Sequence, residues 1–206
     1  MTRAEDRALA FEKTLGSSQC RAFPESDGAM PPIEVRCYTA RAVTTAPVCD
    51  IWVTSGMSDV AMLGAEGESL RRELIFYAPP GGNYVAGLRA LGRFPHDEHT
   101  YLDYGHTVQI FGSFFVPGGA QSLATQGVDV VTLPHVFLAM TPILRHRRLR
   151  DELVIDGVAT EFLWVVPISA SELALKKRQG ADALLDLFES RSHPWLFDPA
   201  RTGYGP

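Results

Sequence analysis

The sequence predicts an α/β (α+β) domain: a mixed β-sheet flanked by helices, with a late β-hairpin and a C-terminal helical pair. Three local signals carry this expectation. Asp156-Gly157 stands between β-forming residues, and both turn positions of a type I′ hairpin need positive φ, which Asp and Gly tolerate. Ser169-Ala170-Ser171-Glu172 spells a capping box at the start of a helix. Val85, Leu88 and Leu91 repeat at helical spacing just after a strand-like run that Pro79-Pro80-Gly81-Gly82 stops. Hairpins interleaved with helices fit a mixed sheet better than a strict βαβ alternation.

Taken in order, Ala4 to Leu15 predicts a helix with Ala8, Leu9, Phe11 and Leu15 on its apolar face. Gly16 to Pro32 is polar and rich in Gly and Pro, and predicts a loop. Strands are expected from Ile33 towards Val43, over Asp50 to Thr54, and over Glu73 to Tyr77. The helix carrying Val85 should end near Gly92 and Pro95, and Phe94 to Tyr104 should form a polar loop. Thr107 to Phe111, Val128 to Leu133 and Val136 to Met140 have β character. After the Asp156-Gly157 turn, Val158 to Ile168 is apolar on both alternating faces, which predicts a central strand. The capped helix should run to about Gln179. Lys176, Lys177 and Arg178 suit its negative end, and Gly180 suits the residue past it. A second helix spans Ala181 to Glu189 with Leu184, Leu185 and Phe188 on one face, and Trp195 and Phe197 should tack down the tail. The expected organisation is an N-terminal helix and loop over 1–30 and one domain over 31–201, a single domain overall.

The 206 residues carry 46% hydrophobic and 21% charged side chains, which excludes wholesale disorder. Nineteen Lys and Arg against 24 Asp and Glu leave a net charge of −5, unlike a general nucleic-acid coat. The opening MTRAEDRALA lacks the apolar core of a signal peptide. The most apolar stretch, Val128 to Leu144, is broken by Asp129, Pro134, His135 and Pro142, so no membrane span is expected. Three cysteines with no C-x-x-C read as reduced thiols in a cytoplasmic protein.

The candidate chemistry is sparse. Ser55-Gly56-Met57-Ser58-Asp59 reads as a binding loop with a tight turn at Gly56, or as a short helical turn capped by Ser58 or Asp59. No G-x-S-x-G elbow accompanies it, and no catalytic residue is assigned. Glu73 lies inside an apolar strand, where it either faces solvent or pairs with Arg71 or Arg72. His96 and His99, with His106 beyond, are the best metal candidates and would support a metal-dependent hydrolase as the alternative function. Their H-x-x-H sits in a loop rather than on an H-E-x-x-H helix, so a solvated acidic loop is the favoured reading, with no metal and no cofactor assigned. Arg145-His146-Arg147-Arg148-Leu149-Arg150 is a basic cluster without interleaved aromatics, and nucleic-acid binding is not expected from it.

Five segments together resemble the suppressor-of-fused domain family. They are Val53-Thr54-Ser55-Gly56-Met57-Ser58-Asp59, Arg72-Glu73-Leu74-Ile75-Phe76, Gly105-His106-Thr107, Val166-Pro167-Ile168 followed by the Glu172 helix and its Gly180 turn, and Phe197-Asp198-Pro199-Ala200-Arg201. They fall in order over roughly residues 30 to 201. Animal members pair this domain with a second one and clasp an extended transcription-factor peptide between the two; 206 residues is room for the first domain only. The resemblance therefore implies a short bacterial-type single-domain member. Such members look like immunity proteins of polymorphic toxin systems: non-enzymatic domains that bind and occlude a partner protein, here a cognate toxin domain. The residues expected at the partner are Ser55, Met57, Ser58, Asp59, Glu73, Asp97, Glu98 and Asp103. Those expected to hold the fold are Gly56, Gly105, His106, Pro167, Gly180, Asp198 and Arg201.

Overall fold

The computed structural model describes residues 3–15, 20–25, 28, 30–40, 48–109, 135–139, 154–155, 157–198 and 201–204. Among them are helix α1 (Arg3–Leu15), strands β1 (Cys20–Phe23), β2 (Glu34–Ala40), β3 (Cys49–Ser55), β4 (Met62–Leu63), β5 (Ser69–Leu70) and β6 (Arg72–Ala78), and helix α2 (Val85–Asp97). Strands β7 (Thr107–Gln109), β8 (His135–Ala139), β9 (Val154–Ile155), β10 (Val158–Ala159) and β11 (Glu161–Ile168) follow, then helices α3 (Ala170–Gln179) and α4 (Ala181–Ser190). Seven strands form one mixed sheet in the order β1-β2-β3-β6-β11-β8-β7. Among the described residues only β11 against β6 is parallel; β11 is antiparallel to β8 on its other side.

The sheet is covered on both faces, and strand periodicity sorts its side chains. Trp52 of β3, Leu74 and Phe76 of β6, and Leu163 and Val165 of β11 point to one core, where α2 contributes Leu88 and Leu91. Their chain neighbours Ile51, Val53, Ile75, Tyr77 and Phe162 point to the other, closed by Phe11 of α1. Val166 and Ile168 continue into a third cluster with Leu173 of α3 and Leu184 and Phe188 of α4. β3 and β6 are buried at all seven positions, as central strands covered on both faces should be.

Several expectations change on folding. α1 is amphipathic, but Leu9 is exposed, and the buried stripe is Arg7 and Phe11, one helical turn apart. The expected loop before Pro32 contains β1, whose two middle residues are exposed; an edge strand needs no apolar run when its partner β2 supplies the ladder. α2 does not stop before Pro95 but runs through it to Asp97. Pro95 is buried there, and Glu98 and Thr100 close the end by donating to Phe94 O and Pro95 O at 3.0 and 2.9 Å. The Asp-Gly hairpin exists as β9–β10, with Val158 opposite Ile155 and Gly157 at φ 74°; Asp156 itself lies outside the described residues. The second arm leaves this hairpin after Ala159, and β11 takes the central place between β6 and β8.

The helical pair follows its sequence signals closely. Ser169 Oγ accepts from Glu172 N, and Glu172 Oε2 accepts from Ser169 N at 2.9 Å, completing the capping box. Gly180, at φ 92°, separates the helices and donates to Lys176 O at 2.8 Å. Pro167 stands in β11 opposite Val136. The segment Val128 to Leu133 and the basic cluster Arg145 to Arg150 lie outside the described residues.

Candidate functional site

The Ser55–Asp59 segment leaves the end of β3 and turns at Gly56, whose φ of 125° is a conformation that side chains with a Cβ rarely adopt. A Cβ there would stand 2.2 Å from the Pro32 carbonyl oxygen, so close approach of the backbone also demands glycine. Met57–Asp59 then makes one 3₁₀ turn, closed by Asp59 N donating to Gly56 O at 3.0 Å. The expected short helical turn is present, but neither Ser58 nor Asp59 caps it: its N-terminal boundary is Gly56, which has no side chain to do so. That cap comes instead from Glu73 on the neighbouring strand.

Glu73 is fully buried. Its Oε1 accepts from Gly56 N at 2.9 Å, Ser58 N at 3.1 Å and Ser58 Oγ at 2.7 Å. Its Oε2 accepts from Thr54 Oγ1 at 2.7 Å, and that oxygen in turn accepts from Leu74 N at 2.7 Å. The two sequence alternatives for Glu73, solvent or an arginine partner, both give way to a third: a carboxylate satisfied by the N-terminus of a turn. Arg71 donates to the Ser58 and Asp59 carbonyls at the other end of the turn. Arg72 pairs with Asp103 at 3.2 Å and with Glu161. From the opposite side, buried Arg7 of α1 bonds Ser55 Oγ at 3.0 Å and pairs with Asp59. The turn is thus a joint between α1, β3 and β6.

This placement corrects the expected contact set. Ser55, Met57, Ser58 and Glu73 are buried at 2% exposure or less, and a partner cannot touch them without opening the joint. Their polar groups face one another because they must satisfy the end of β3 as it turns away from the sheet. Asp59 and Asp103 are partly exposed, and Asp97 and Glu98 are exposed at the end of α2. Sequence reading missed Arg7; its signal was a cation one turn before Phe11 on a helix face.

The three histidines do not converge into a metal centre. His96 is helical, not in a loop. Its side chain reaches the Met57 backbone, and burial lowers its pKa against the opposing pull of that hydrogen bond. His99 is exposed, with φ 51°, and the His106 ring packs on Tyr101 at 5.0 Å. Among the described residues no group of three or more His, Cys, Asp or Glu is placed to hold a metal ion. His106 N donates to Asp103 O at 3.1 Å, and Gly105 turns at φ 78° with Ala181 Cβ 3.0 Å from where its own Cβ would be.

A second buried carboxylate organises the C-terminal tail. Beyond its capping role, Glu172 accepts a fork from Arg201 at 2.6 and 3.0 Å and a bond from Tyr204 N at 3.1 Å. Arg201 N donates to Asp198 O at 3.1 Å, and Phe197 N donates to Tyr77 O at 2.9 Å, which ties the tail to β6. The capping glutamate and the tail arginine, 29 residues apart, are one device.

A sequence profile described as suppressor of fused protein (SUFU) matches residues 31–202. The chain belongs to the suppressor of fused family. Its turn at Gly56, the Glu73 strand and the Arg201 tail all fall within the matched span, and α1 precedes it. Among solved structures, this suppressor of fused domain is similar to one described as the Sufu-Fu complex crystal structure. The TM-score is 0.59 at 13% identity, over 97% of this chain and 89% of that one. At that identity the likeness speaks for the fold. No curated protein matches the chain at a significant level. No helix among the described residues is long and apolar enough to cross a membrane.

Proposed function

We propose that this suppressor of fused domain is a non-enzymatic protein-binding module that acts as an immunity-type inhibitor, occluding a toxin domain in the cytoplasm. Family membership over residues 31–202 carries the reading. The solved neighbour was crystallised as a complex, which agrees with a binding role for the fold. The net charge of −5 favours a basic partner, such as a nuclease whose cleft must hold phosphates. Exposed Asp97 and Glu98, with Asp103 and Asp59 partly exposed, supply the contacts; the buried members of the joint hold the turn in shape behind them.

The test is co-expression with the toxin domain that this reading requires in a neighbouring gene, together with titration of the purified pair. Rescue of growth and a stable complex are expected. The pair Asp97→Lys and Glu98→Lys should slow association by about tenfold at low salt and little at high salt, because exposed charges act mainly on encounter. A chain that neither binds nor neutralises that toxin would refute the reading.

A further inference from the structure

Single exposed apolar side chains are ordinary, whereas a cluster of them marks an interaction surface. Three of the seven large apolar residues exposed among the described residues line one groove: Met30 at 76%, Leu63 at 70% and Val60 at 42%. The groove runs between the segment before β2, the stretch leading into β4, and the end of α2, where His96 and His99 complete it. Its volume is about 510 Å³, in the range that takes a few bulky side chains. The end of the groove at α2 is more polar, with His96, His99 and Thr100 in its lining.

The surroundings are acidic. Asp97 and Glu98 are exposed between the two lining histidines, and Glu66 and Glu68 are exposed in the turn that follows Leu63. Glu68 also accepts from Glu66 N at 2.9 Å, which shapes that turn. A second copy of this chain seated on the groove about a twofold axis would bring the same acidic rim against itself. A partner carrying the opposite charge meets no such repulsion.

We propose that this groove is the docking site for a protein segment that places a bulky aliphatic or aromatic side chain between Met30, Val60 and Leu63, flanked by Lys or Arg against the acidic rim. The inference rests on the protein-binding reading above and names the chemistry of the partner segment. The acidic flanks set the orientation of that segment.

A display library of random twelve-residue peptides, selected on the immobilised full chain, tests this. Enriched peptides should combine an apolar anchor with adjacent Lys or Arg. Resynthesised and titrated by fluorescence anisotropy, they should bind the chain and lose about tenfold or more on Leu63→Asp or Val60→Asp. They should keep their affinity on Leu9→Asp, an exposed apolar position on α1 outside the groove, which also controls for folding. No enrichment, a consensus that is acidic or lacks the anchor, or binding unchanged by Leu63→Asp would overturn the proposal. So would a dimer in sedimentation that Leu63→Asp dissociates, since a second copy would then be the occupant. Toxin neutralisation that survives Leu63→Asp would refute the groove and leave the inhibitor reading standing.

Discussion

Replacing Glu73 with Gln keeps the shape of the side chain and removes its charge and one of the two oxygens among which four donors are divided. The three bonds at Oε1 fit the amide oxygen of Gln. The amide nitrogen then faces Thr54 Oγ1, 2.7 Å away, which already accepts from Leu74 N. The Thr54 hydroxyl hydrogen loses its acceptor, and the other three bonds lose their charge assistance. Bonds to a charged group are worth about 1.5–3 kcal/mol and neutral ones about 0.5–1.5 kcal/mol, partly offset by the easier burial of an uncharged amide. The expected net cost is about 2–4 kcal/mol. Glu73→Ala strands two main-chain N–H groups and two hydroxyls inside the protein, and should cost about 5 kcal/mol or more. Urea unfolding followed by tryptophan fluorescence reads this directly, because Trp52 is buried beside the joint's strand. At a slope of about 3 kcal/mol/M, Glu73→Gln should lower the midpoint by about 1 M. A Gln variant within about 0.5 kcal/mol of the parent would refute the account of Glu73 as the group that holds the turn.

Two further outcomes follow from the tail. Arg201→Ala leaves Glu172 without its fork and should cost about 3–5 kcal/mol, with faster amide exchange over residues 193–204; Arg201→Lys, which keeps charge without the fork, should fall between. His193 stacks on Phe188 at 4.1 Å, and burial, helped by the Arg201 charge and opposed by Glu172, pushes its pKa from 6.5 down to about 4. The unfolded chain therefore binds the proton first as pH falls. The His193 contribution should lower stability by about 3 kcal/mol between pH 6.5 and pH 4 and be complete below, and His193→Gln should flatten that part of the pH profile of the urea midpoint.

Much of the fold was legible because its signals are short-range. The capping box at Ser169 and Glu172 spans four residues, the Gly180 break and the Asp156-Gly157 turn one or two. The alternating apolar run of β11 announced a central strand from its own composition. The candidate site was less legible. A glutamate within an apolar strand reads the same whether it meets water, an arginine or a turn, and its four donors come from β3 and the residues just beyond it. Acidic residues such as Asp97 and Glu98 were correctly read as exposed because nothing apolar surrounds them in sequence. The groove was invisible, since Met30, Leu63 and His96 belong to three separate segments.

What the sequence determined alone was the set of local backbone states: where helices start and stop, where φ must be positive, and which runs alternate. These depend on residues a few positions apart, whose steric and hydrogen-bonding preferences act before any distant contact forms. Only the tertiary structure decided that β11 lies parallel to β6, that Cys20–Phe23 becomes an edge strand, and that Arg7 and Glu73 are buried. Each of those outcomes depends on partners dozens of residues away, and burial of a charge or pairing of a strand is favourable only once those partners are in place.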